Sequence, residues 1–137
     1  MSDEEKYFGL MEELPLLGLS ILIVNEDLGN REAVSQLLED WGAMVDRVEQ
    51  GRDALEAISR FHYDTVMIDE DIACVDSAEL TDVTRFKSKN KNTSVIISGS
   101  LMVTKDDAVH AGVDGYIQKP FDELELLESL LHSQKRH

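Results

Sequence analysis

Basic residues, cysteine and proline are all scarce in this sequence, and each scarcity removes a class of protein. Lys and Arg number 13 against 28 Asp and Glu, a formal net charge of -15, so the summed field repels phosphate backbones and anionic lipid. Neither nucleic acid nor membrane is expected as a direct partner. The single cysteine, Cys74, permits no intrachain disulfide; nothing implies an oxidising compartment, and the cytoplasm is the default location. Two prolines and eight glycines leave no room for a collagenous, mucin-like or proline-rich linker. Long apolar runs are missing too. The stretch from Leu16 to Val24 is interrupted by Gly18 and Ser20 and falls well short of the roughly 20 residues that span a bilayer. The opening residues are acidic rather than basic and do not read as a signal peptide. His62, His110, His132 and His137 are scattered without acids or cysteine at metal spacing, so no zinc site is implied.

What is present is an alternation. A chain of 137 residues with 42% apolar content suits one domain with one adequate core. Short β-branched runs alternate with longer stretches of helical apolar spacing. The strand candidates are Ser20–Val24, Met44–Val48, Thr65–Asp69, Ser94–Ser98 and Gly115–Gln118; ILIV, TVMI and SVII have the continuous apolarity of strands buried on both faces. The helix candidates are Asn30–Trp41, with Ala33, Val34, Leu37, Leu38 and Trp41 on one face, and Arg52–Phe61, with Ala54, Leu55, Ile58 and Phe61. Ala78–Lys89, Lys105–Ala111 and Asp122–His132 follow. Gly42 is placed to stop the first helix and Asp122 to cap the last. Such β/α units imply a doubly wound parallel sheet with helices on both faces, because parallel strands need right-handed crossovers. A ligand of such a sheet sits beyond the carboxyl ends of its strands.

The residues at those ends are Asn25-Glu26-Asp27 after the first strand, Asp69-Glu70-Asp71 at the third, Ser98-Gly99 at the fourth and Lys119-Pro120 after the fifth. Singly, an acid at a strand end is usually a solvated turn residue. Converging at one edge, these supply the parts of phosphoryl transfer: a carboxylate nucleophile, carboxylates for a hard dication, a fixed cation and a hydroxyl for a phosphoryl oxygen.

The segments ILIVNEDLGNRE, YDTVMIDEDIACVDS, SVIISGS and AGVDGYIQKPF, in this order and spacing, resemble the receiver domain of two-component response regulators from about Leu19 to the end of the last helix. The resemblance implies a flavodoxin-like sheet in order 2-1-3-4-5. It implies Asp69 as phosphoacceptor, Lys119 as the companion cation, Ser98 as the switch hydroxyl and Tyr116 as the switch aromatic. It implies magnesium held by Glu26, Asp69 and the backbone carbonyl of Asp71, with Asn25 and Asp27 as further candidates. The implied upstream partner is a histidine kinase or phosphotransfer protein, and the output is contact with a downstream protein through the last helix and the Tyr116 strand.

Two departures bear on that site. Where the family carries two consecutive acids after the first strand, this sequence has Asn25-Glu26; one charge is missing and the remaining acid is longer by a methylene, so weaker metal binding is expected. The loop after Asp69 has Ala73-Cys74 and Asp76-Ser77 where the family has Pro-Gly and Asp-Gly turns, which alters its rigidity more than its chemistry. Two readings stay open: a phosphorylatable receiver with a retuned metal site, and a pseudo-receiver that keeps the fold for protein contacts. A third, from another class, is a haloacid-dehalogenase-like phosphatase, because Asp69-Glu70-Asp71 matches that family's DxD nucleophile motif; against it stand Ala73 and the lack of an acidic pair after the fourth strand.

The expected organisation is an N-terminal extension over 1–18, a receiver over 19–133 and a tail over 134–137. The extension carries Tyr7, Phe8, Leu10, Met11 and Leu14 among acids, which suits either a flexible terminus or a short amphipathic arm that docks on a partner or a second copy. No segment reads as an output domain, so a stand-alone receiver acting through binding is expected.

Overall fold

The computed structural model describes residues 14–70, 77–86, 88, 90, 92–99 and 113–134. Five parallel strands form one sheet: β1 (Ser20–Val24), β2 (Met44–Val48), β3 (Thr65–Asp69), β4 (Ser94–Gly99) and β5 (Gly115–Gln118), in the order β2-β1-β3-β4-β5. The described helices are α1 (Leu28–Asp40), α2 (Gly51–Arg60), α3 (Ser77–Phe86) and α4 (Glu123–Gln134). The expected helix over Lys105–Ala111 and most of the N-terminal extension lie outside the described residues.

The central strands are buried along their whole length in β3 and β4 and at every position but Ser20 in β1. Alternate side chains enter opposite faces, as the pleat requires. Leu22, Val24, Val66, Ile68, Val95 and Ile97 meet Ala54, Ile58 and Leu80 from α2 and α3. Ile21, Ile23, Met67, Ile96 and Ile117 meet Leu38 from α1 and Leu126 and Leu130 from α4. This is the two-sided burial that a parallel sheet needs. β2 is an edge strand, with Met44 63% exposed, and its Arg47 is paired with Glu32 and Glu39 of α1.

α1 starts earlier than its apolar spacing suggests because Asp27 caps it. Its carboxylate accepts from the backbone N–H groups of Gly29 at 2.9 Å and Asn30 at 3.3 Å, satisfying donors that have no partner within the helix. The buried stripe then runs through Ser35 and Leu38, flanked by Val34, Leu37 and Trp41. Ala33, expected on the apolar face, is exposed, since two residues separate it from Ser35 by about 200° of helix rotation. Phe61 is likewise not in the core. α2 ends at Arg60, Phe61 turns to extended backbone (φ -123°, ψ 152°), and its ring is 57% exposed.

Gly42 ends the α1 segment at φ +100°, its N–H donating to Glu39 O at 2.9 Å. A Cβ there would lie 3.0 Å from the Cα of Leu17, so glycine answers both the left-handed backbone and the close approach. At the other end of the chain Asp122 accepts from Glu125 N at 2.8 Å, the cap expected for α4.

Two buried polar devices carry no signal in the local sequence pattern. Asn90, fully buried, accepts from Tyr63 N at 2.7 Å and Thr93 Oγ1 at 2.9 Å and donates to the carbonyls of Ile58 and Phe61, both at 2.8 Å. It ties the end of α2 to the start of β4. Arg85 of α3 donates to Thr93 O and to Asp114 Oδ2, both at 2.6 Å, which fastens that helix beneath β4 and β5.

Candidate phosphoryl-transfer site

The carboxyl ends of the strands bring together residues far apart in sequence. Asp69 closes β3 and is the register partner of Ser98 on β4, while Gly99 is the partner of Gln118 on β5. The N–H of Lys119 donates to Gly99 O at 2.7 Å, so the lysine leaves β5 directly above the β4 end; its peptide bond to Pro120 is cis. From there its ammonium pairs with Asp69 Oδ2. Asp69 is 5% exposed and Ser98 3%. A carboxylate so deeply buried is costly unless paired and hydrogen-bonded, and the Lys119 ammonium meets that need.

Asn25 follows β1 and is also buried. Its Nδ2 donates to Asp69 Oδ2 at 3.3 Å, and its Oδ1 accepts from Asp27 N at 2.8 Å. Arg31, from the first turn of α1, donates to the Asn25 carbonyl at 2.9 Å. Glu26 is exposed beside them. Asp27, considered as an additional metal ligand, is engaged elsewhere, since its Oδ1 caps the backbone of α1 and its Oδ2 accepts from Asn30 Nδ2 at 3.2 Å. The carbonyl of Asp71 lies outside the described residues.

These groups face a cleft of about 510 Å³, with Asn25, Asn30, Asp69, Ser98, Lys119 and Phe121 on its walls. Tyr116, one residue before the buried Ile117, packs against the core on the α2 and α3 side and does not line the cleft. The N–H of Glu70 donates to Ser98 O at 2.9 Å, and its carboxyl lies over Gly99, in the space a Cβ would fill.

The donor chemistry fits a hard dication in part. Magnesium is commonly held by one or two carboxylates, with waters and phosphate oxygens completing the shell. Asp69 supplies one such carboxylate in the cleft, and Glu26, exposed after β1, is the candidate for a second. Among the described residues no group of three or more His, Cys, Asp or Glu side chains is gathered for a metal.

A parallel sheet in the order β2-β1-β3-β4-β5, with a buried carboxylate, a lysine and a hydroxyl at its strand ends, is the architecture of a receiver domain. The chain belongs to the response regulator receiver domain family, whose profile matches residues 21–131. It is 28% identical to the probable histidine kinase 6 of Oryza sativa subsp. japonica over 84% of this chain and 14% of that protein. It is 30% identical to the sensor protein GacS of Pseudomonas syringae pv. syringae, covering 81% and 13%. It is 32% identical to the transcriptional regulatory protein DltR of Streptococcus agalactiae, covering 80% and 49%. The chain thus spans about a seventh of these kinases and half of that regulator. Among solved structures, the chemotaxis response regulator CheY4 of Vibrio cholerae superposes with a TM-score of 0.78 at 25% identity, covering 84% of this chain and 98% of that one. The receiver domain of the Pseudomonas aeruginosa sensor histidine kinase PA1611, described with magnesium in its active-site cleft, shares the fold at TM-score 0.77 and 24% identity, covering 86% and 98%. No helix among the described residues is long and apolar enough to cross a membrane.

Proposed function

We propose that this receiver accepts a phosphoryl group on Asp69 from a phosphohistidine of a histidine kinase or phosphotransfer protein, and that the phosphorylated surface then acts by binding a downstream protein. The observation that carries this reading is the pairing of the buried Asp69 carboxylate with Lys119, next to Ser98 and at the mouth of an open cleft.

In the step proposed, a carboxylate oxygen of Asp69 attacks phosphorus, the P–N bond to imidazole breaks, and an aspartyl phosphate forms. The Lys119 ammonium and the Ser98 hydroxyl donate to phosphoryl oxygens as charge shifts onto them. Lys119 already lies on Asp69, so it needs no new desolvation to follow the transferred group. Magnesium, held by Glu26 and Asp69 with the Asp71 carbonyl completing the protein's share, would supply charge neutralisation between carboxylate and phosphoryl oxygens. Glu70, next to Asp69 in sequence, adds negative charge beside the acceptor, which makes that neutralisation useful.

A second feature supports a protein donor. The cleft adjoins a groove of about 410 Å³ between α1 and α4, floored by Val34, Leu37, Phe121 and Leu126 and edged by Asp40 and Glu123. An apolar floor with acidic edges suits a helix bearing both apolar and basic side chains.

The test is incubation with acetyl phosphate and magnesium, followed by intact mass measurement. A phosphoryl mass gain in the wild type that is lost in Asp69→Asn is the expected result. No gain under any metal condition, nor with a phosphorylated histidine donor, leaves the pseudo-receiver reading, in which the same groove serves protein contacts alone.

A further inference from the structure

The orientation of Asn25 is decided by its neighbours. The backbone N–H of Asp27 can only donate, and it donates to Asn25 at 2.8 Å; the atom it meets must therefore be the amide oxygen. The amide nitrogen then faces Asp69 and donates to Oδ2 at 3.3 Å. Both ends of the amide are committed, and the end turned toward the acceptor carries hydrogens rather than lone pairs.

We infer that Asn25 is a positioning residue that holds the acceptor carboxylate by hydrogen bonding and competes with a divalent cation for it. The inference rests on Asp69 being the acceptor of a metal-assisted receiver. Asp69 Oδ2 receives the Lys119 ammonium and the Asn25 amide together, so the buried negative charge is met by donors without a metal. For Asn25 to offer oxygen to a cation its amide must rotate, giving up the bonds to Asp69 and to Asp27 N. The Arg31 guanidinium, which donates to the Asn25 backbone carbonyl at 2.9 Å, places a positive charge on the same residue, and like charge opposes a dication at the Asn25 side chain. An acid at position 25 would reverse the first effect, because a carboxylate has no hydrogen to give Asp69 and two oxygens to give a metal.

Calorimetric titration of magnesium into the wild type, Asn25→Asp and Asn25→Ala tests this without any phosphodonor, so a failed metal titration and a failed phosphorylation of Asp69 are separate results. Asn25→Asp should bind magnesium at least about tenfold more tightly than wild type. Asn25→Ala, which removes the competing donor and adds no ligand, should fall between them. Wild-type affinity equal to or tighter than that of Asn25→Asp overturns the inference. Because a second buried carboxylate beside Asp69 can impair folding of the Asn25→Asp variant, a second measurement uses the wild type alone: the Asn25 side-chain NH2 resonances, followed by ¹⁵N NMR, should shift or broaden as magnesium is added. Saturation with magnesium that leaves those resonances unmoved also overturns it.

Discussion

Asp69 and Ser98 are register partners on adjacent parallel strands, β3 and β4, and both are almost wholly buried at the strand ends. Neither is placed by a flexible loop. The main-chain ladder that pairs Thr65 with Ser94 at the other end of the same strands carries the register through to the Asp69 carboxylate and the hydroxyl beside it, and a site mounted on strands is held more closely than one mounted on loops.

Loss of Lys119 should expose the cost of burying Asp69. Lys119→Met leaves the carboxylate without its cation, and with the lysine side chain 25% and the aspartate 6% exposed the destabilisation should be about 3 kcal/mol. Adding Asp69→Asn should recover much of it, since a neutral amide needs no counter-ion. Denaturant unfolding of the two single variants and the double variant measures the coupling; strict additivity would show that the pair is not an energetic unit.

Gly99 leaves room for the Glu70 carboxyl. Gly99→Ala should cost only about 1 kcal/mol, because the atoms it meets end a flexible side chain. The cost should shrink toward zero in a Glu70→Ala background. Thermal unfolding of the four members of this cycle reads the effect; an equal penalty with and without Glu70 would place the clash elsewhere.

Asn90→Ala removes a side chain that satisfies Tyr63 N and the carbonyls of Ile58 and Phe61. Buried groups left unsatisfied cost about 1–3 kcal/mol each, so a loss near or above the upper end of that range is expected from chemical denaturation. The phosphorylation proposed at Asp69 should persist in this variant at low temperature, since Asn90 serves the base of the sheet and not its carboxyl edge.

Much of the fold was readable from local pattern. ILIV, TVMI and SVII are β-branched runs short enough to be strands and apolar enough to be covered on both faces, and four of the five strands have the bounds that pattern predicts. β4 runs one residue further, to Gly99. Helix limits were less legible because caps decide them: Asp27 draws the start of α1 back to Leu28, and the extended backbone at Phe61 ends α2 before its last apolar residue. Asn90 and Arg85 gave no periodic signal, since a buried polar hub is defined by partners distant in sequence.

The identity of the chemical groups at the strand ends, a carboxylate, a hydroxyl, a lysine and an amide where an acid is usual, was determined by the sequence, because alternation alone implies a parallel sheet and a parallel sheet gathers its strand ends at one edge. What each group does there was decided by tertiary structure. Asp27 became a helix cap and Asn25 a donor to Asp69 because hydrogen-bonding direction depends on which atoms meet in space, and the 44 residues between Asn25 and Asp69 carry no trace of that meeting in their order.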